Sequence, residues 1–118
     1  AQGILHPIQK FNDNYYLIAR EGDTFKTLGK EVEISWRKLA RYNERDKHTV
    51  LHKGDIIYLK KKRKKAPKQY KKRPHIVQSG ESMYSISQRY GIRIKYLYKM
   101  NKLDPSYKAR VGDRLRVR

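Results

Sequence analysis

Two hydrophobic periods alternate along the chain, and their alternation predicts its elements. Tyr15, Tyr16, Leu17 and Ile18 form an aromatic and β-branched run suited to a short strand, and Glu21-Gly22-Asp23 ends it with turn chemistry. Phe25, Leu28 and Val32 then recur at spacings of three and four, the apolar face of a helix that Thr24 can cap. Residues 33–35 break this helix, and Ser35 can cap a second one carrying Trp36, Leu39, Ala40 and Tyr42, ending near Asn43. A polar loop follows at 44–47, and after the Gly54-Asp55 turn the apolar run 56–59 predicts a second strand.

The pattern is then written again. Sliding the chain by 58 positions, without a gap, superimposes Ile18 on Ile76, Gly22 on Gly80, Ile34 on Ile92, Leu39 on Leu97, Asn43 on Asn101, Asp46 on Asp104 and Gly54-Asp55 on Gly112-Asp113. An internal repeat identifies the structural unit. In the second copy residues 75–78 predict a strand, Ser82 a cap, and Met83, Ile86 and Tyr90 one helical face, with Gly91 as its stop. Ile94, Leu97, Tyr98 and Met100 line the next helix, and residues 114–117 close as a strand. The order is β-α-α-β, twice. Two strands that bracket a helix pair find partners only in each other, so the expected fold is α+β: two small modules, each with two helices on a two-stranded antiparallel sheet. The expected boundaries are a lead-in from an upstream region at 1–14, given no fold of its own, modules at 15–60 and 74–118, and a basic linker at 61–73.

Composition sharpens this picture. With 118 residues shared between two units, each lies near the lower size limit for independent folding, and the absence of Cys excludes disulfides and thiolate zinc sites. No apolar run approaches the ~20 residues that span a bilayer. The net charge of +19 is unevenly placed: residues 60–73 hold 10 of the 30 Lys and Arg and no acid, whereas 15–59 carry 9 basic against 7 acidic residues. Such a run attracts polyanions or, by self-repulsion, acts as an extended spacer.

The residues of the second copy, from His75-Ile76-Val77 through Ser79-Gly80-Glu81-Ser82 to Tyr90-Gly91, with Leu97-Tyr98-Lys99-Met100-Asn101 and Val111-Gly112-Asp113, resemble the lysin motif (LysM) family. The first copy matches through Gly22-Asp23-Thr24-Phe25, Leu39-Ala40-Arg41-Tyr42-Asn43 and Lys53-Gly54-Asp55, but has Val32-Glu33 where the family has Tyr-Gly, which leaves the shape of its interhelical turn open. The arrangement is similar to paired modules on bacterial wall-cleaving glucosaminidases or amidases. The resemblance implies a noncatalytic module for N-acetylglucosamine-containing glycan, peptidoglycan or chitin, acting as a monomer in a secreted, periplasmic or envelope-associated setting, with no cofactor. It places the glycan in a shallow groove between the strand-to-helix turn and the loop after the second helix. The implied contacts are Gly22, Asp23, Thr24, Phe25, Arg45 and Asp46 in the first copy, and Gly80, Glu81, Ser82, Met83, Lys102, Leu103 and Asp104 in the second.

Each position also has a plainer role. Thr24 and Ser82 suit helix caps, Asn43 and Asn101 helix ends, and Trp36 a core or half-core position, while Phe25 and Met83 suit either core or groove. Paired acids such as Asp23 with Asp46, or Glu81 with Asp104, have the residue types of a glycosidase, but short exposed turns lack the enclosing pocket that tunes a general acid. His48 and His52 have the spacing of a metal pair without a third ligand. The competing class is nonspecific nucleic-acid or acidic-polymer binding through residues 60–73 and the second module, which salt would weaken steeply.

Overall fold

The computed structural model describes residues 5–118. The chain divides into two compact units between Lys62 and Arg63. The first unit contains β1 (Gln9–Phe11), β2 (Asn14–Ile18), α1 (Phe25–Val32), α2 (Trp36–Tyr42) and β3 (Ile56–Tyr58). The expected pairing of β2 with β3 is antiparallel, with Leu17 opposite Ile57. β1 adds a third strand on the other side of β2, through a hairpin whose loop residues Asn12 and Asp13 have φ of 52° and 54°. Two-residue hairpin loops need this left-handed pair, and Asn and Asp tolerate it best after glycine. The expected foldless lead-in therefore supplies a strand, apart from residues 1–4, which lie outside the described residues. Gln9-Lys10-Phe11 lacks apolar alternation because this edge strand is mostly exposed and joins through its backbone.

Thr24 caps α1 through a reciprocal box: its hydroxyl accepts from the Thr27 amide at 3.0 Å, and its own amide donates to the Thr27 hydroxyl at 3.0 Å. The helix ends with the Ile34 amide bonded to the Gly29 carbonyl at 3.0 Å and with Glu33 left-handed at φ 59°. Gly91 occupies the matching place in the second unit at φ 65°. Loss of the Tyr-Gly pair thus leaves the turn's shape unchanged, because the carbonyls at the helix end are satisfied the same way in both units. Leu17, Ala19, Phe25, Leu28, Leu39, Ala40, Leu51 and Ile57 form the first core.

The second unit contains a 3-10 turn (Lys68–Tyr70), β4 (His75–Ile76), α3 (Met83–Tyr90), α4 (Ile94–Met100) and β5 (Arg114–Leu115), with β4 and β5 antiparallel. Its core includes Val77, Met83, Ile86, Tyr90, Ile92, Leu97, Leu115 and Val117, and also Ala66. The segment 61–73, expected as a basic linker between the modules, is divided between the two units. Lys62 is buried against Glu44 at 2.7 Å, and burial lowers its ammonium pKa against the pull of that carboxylate. Arg63 pairs with Ile92, its amide donating to the Gly91 carbonyl at 3.0 Å and its carbonyl accepting from the Arg93 amide at 2.9 Å. Ala66 is fully buried, and its amide donates to the Val117 carbonyl at 2.7 Å. Charge alone did not reveal this, because one small residue among cations carries the burial and backbone groups carry the pairing.

Candidate functional site

Four Gly-acid dipeptides shape the ends of the strands. In each, the acid's amide donates to the carbonyl three residues back: Asp23 to Arg20, Asp55 to His52, Glu81 to Gln78 and Asp113 to Arg110. The intervening glycines have φ of 82–95°, the left-handed third position of a β-turn. The acid side chain then reaches back to the amide of the turn's first residue, as from Arg20 to Asp23 at 2.6 Å and from Gln78 to Glu81 at 2.7 Å. In the first unit Ala19 bonds both Gly54 and Asp55, so two of these turns lie side by side.

Beside this pair of turns lies a cleft of about 670 Å³. One wall is Glu21, Gly22, Asp23, Thr24 and Lys26, the other is the loop from Lys47 to Lys53, and Trp36 also lines it. Space beside Gly22 is open, with nothing within 4 Å of where a Cβ would stand, so a ligand can approach its backbone. Trp36 is half-buried, its inner side on the core and its ring 5.1 Å from the His48 ring in an edge arrangement. Among the described residues no group of three or more His, Cys, Asp or Glu converges as metal ligands.

The structure brings Gly22, Asp23 and Thr24 together on the cleft and leaves the other first-copy residues elsewhere. Phe25 is fully buried in the core beneath them. Arg45 and Asp46 line a separate, shallow depression of about 410 Å³ with Arg37 and Arg41. Asp46 accepts from the His48 amide at 2.9 Å, which shapes the loop. In the second unit Gly80, Glu81 and Ser82 form the matching turn and cap, while Met83 is buried. Lys102 is exposed with φ 54°, Leu103 packs on the core, and Asp104 accepts both the amide and the hydroxyl of Ser106 at 2.8 and 2.6 Å. Those two bonds hold the Asp104 carboxyl below its ordinary range. Sequence reasoning missed Lys26, Lys47 and residues 49–53 as cleft lining, although Val50, an apolar side chain within a polar loop, was the available signal.

An imidazole meets the turn acid in both units, delivered from different places in the chain. His6 is buried, with Nε2 2.7 Å from Asp23 and Nδ1 2.8 Å from Glu31, and its backbone amide also donates to Glu31. In the second unit His75 of β4 lies 2.7 Å from Glu81 and 2.7 Å from the Tyr90 hydroxyl. Burial alone would raise the Glu81 carboxyl, but the Gln78 amide, His75 and the Arg89 charge outweigh it and hold it low. The lead-in thus gives the first turn what a strand residue gives the second.

A family model described as LysM domain matches residues 17–60 and 75–118. Similar solved structures include the spore cortex-lytic enzyme SleL of Bacillus cereus, at 24% identity and TM-score 0.36, covering 87% of this chain and 22% of that one. SleL of Bacillus megaterium QM B1551 is 15% identical with TM-score 0.35, covering 86% and 22%. The chain thus spans under a quarter of the length of these enzymes. No curated protein matches it.

Proposed function

Because the chain belongs to the LysM domain family, whose members bind peptidoglycan and related N-acetylglucosamine glycans and are not catalysts, we propose that it anchors an attached protein or enzyme domain to the cell wall. The glycan is peptidoglycan or a chitin-like chain, and the setting is the cell envelope. The observation that carries this reading is the first unit's cleft: an open glycine turn beside a half-buried indole. An N-acetyl group offers one amide donor, one carbonyl acceptor and a methyl, which exposed backbone groups and an aromatic wall can accept together. Gly80, Glu81 and Ser82 offer the second unit the same backbone turn, and two weak sites on one polymer reinforce each other.

The test is an amide-resolved titration with chitotetraose. Shifts at residues 21–24 and 47–53, and at 79–82 for the second unit, are expected. Binding that leaves all of these amides unmoved would sink the assignment.

One observation favours an added contact with acidic wall polymers. A concavity of about 340 Å³ in the second unit is lined by Lys71, Lys72, Arg73, Arg116 and Arg118, with Tyr70, Pro74 and Val117 and no acid. Retention on acidic polymer through it falls steeply with salt, whereas glycan retention through neutral groups does not. Equal retention of DNA at low salt, with glycan retention lost at moderate salt, would replace the sugar reading by nonspecific nucleic-acid binding.

A further inference from the structure

The first unit's cleft differs from the matching region of the second in the charge around its aromatic wall. The Lys26 and Lys47 ammonium groups lie 5.7 and 5.4 Å from the Trp36 ring centroid. Neither has a carboxylate partner among the described residues. Lys53 adds a third cation to the lining, and the lining acids are Glu21 and Asp23. Asp23 already receives the His6 ring and the Arg20 amide, so its charge is answered within the fold, while Glu21 is exposed. The remaining ionisable groups are His48, edge-on to Trp36, and His52, whose ring is 3.9 Å from Asp55. The 58-residue offset puts Tyr84, Ile94, Pro105 and Val111 where the first unit has Lys26, Trp36, Lys47 and Lys53. Lys108 and Arg110 stand at the offsets of Val50 and His52, but Ile94 offers no aromatic face to gather cations.

Stacking on an indole and bonding to a glycine turn reward neutral and acidic N-acetylhexosamine chains alike, and so confer no choice between them. Discrimination needs a group that only one ligand can satisfy. Two ammonium groups held beside the platform, without an anion of their own, are such groups. We infer that the first unit's cleft selects acidic N-acetylhexosamine chains, those bearing a free carboxylate on a lactyl ether, over neutral chitin, with Lys26 and Lys47 as the specificity-determining residues. This inference rests on the glycan reading of the cleft.

The experiment compares the full chain's affinity for chitotetraose with that for the peptide-free tetrasaccharide of alternating N-acetylglucosamine and N-acetylmuramic acid, following first-unit amides. The acidic chain is expected to bind about fivefold tighter at low salt, which corresponds to about 1 kcal/mol from two partly exposed charge contacts. That margin shrinks at high salt. Lys26→Gln with Lys47→Gln should remove the margin, lowering affinity for the acidic chain by a larger factor than affinity for chitotetraose, with the melting temperature unchanged. Equal affinity for the two tetrasaccharides, or a double variant that loses both equally, overturns the inference while leaving the glycan reading in place. Binding of neither at the first unit overturns both.

Discussion

Asn43 and Asn101 show how a single amide can join two elements. Asn43 is fully buried; its Nδ2 donates to the carbonyls of Leu39 at 2.8 Å and Tyr58 at 2.9 Å, and its Oδ1 accepts from the Tyr58 amide at 2.7 Å. Asn101 repeats this with Leu97 and Arg116 at 2.8, 2.9 and 2.7 Å. Each closes a helix and extends a strand at once, which explains its recurrence. Asn43→Ala strands buried groups of Tyr58 and is expected to cost the first unit about 2–4 kcal/mol in denaturant unfolding. Asn101→Ala should cost less, since Arg116 is exposed and water can replace the amide. Glu33 has the opposite problem: exposed and left-handed, it is strained where the second unit has Gly91. Glu33→Gly is expected to stabilise the first unit by about 1 kcal/mol, and a lower melting temperature would contradict this. The missing glycine was legible in the sequence. That the turn keeps its shape regardless was not, because the bond from the Ile34 amide to the Gly29 carbonyl depends on three-dimensional closure.

Among the elements, the turns and caps were the most legible, since their chemistry is local. The capping boxes rest on residues three apart, Thr24 with Thr27 and Ser82 with Ser85, and each Gly-acid turn closes within four residues. The imidazole locks are not local: His6 reaches a turn 17 residues away, from a segment without apolar periodicity. The second lock has a consequence for pH. Glu81 is held below its ordinary value of 4.5 in the folded state, so it stabilises the second unit above that pH and loses this contribution as pH falls through the folded value. The second unit is therefore expected to melt at progressively lower temperature below about pH 4.5, and Glu81→Gln should flatten that dependence. An unchanged acid slope in the variant would assign the effect to other carboxylates.

At the scale of the whole molecule, the repeat predicts two modules, and the compact units divide between Lys62 and Arg63, ahead of the second repeat's own start. A second-unit fragment beginning at residue 74 lacks Ala66 from its core and the backbone pairs of Arg63. It is expected to be about 2–4 kcal/mol less stable than a fragment beginning at residue 63, a large share of the stability of so small a fold. Equal denaturation midpoints for the two fragments would show that 63–73 is a spacer after all. The candidate sites diverge as well. The first unit's cleft is lined by Trp36 and the 47–53 loop, and Ile94 takes the place of the indole in the second.

The sequence by itself determined the β-α-α-β order, the repeat, the caps and the Gly-acid turns, because each follows from residues a few positions apart under fixed helical and strand periods. Tertiary structure alone decided that residues 9–11 pair as a strand, that His6 answers Asp23, that Ala66 is core and that Trp36 lines a cleft while Arg45 and Asp46 do not. Those outcomes depend on backbone bonding and packing between distant segments. Side-chain periodicity does not encode them.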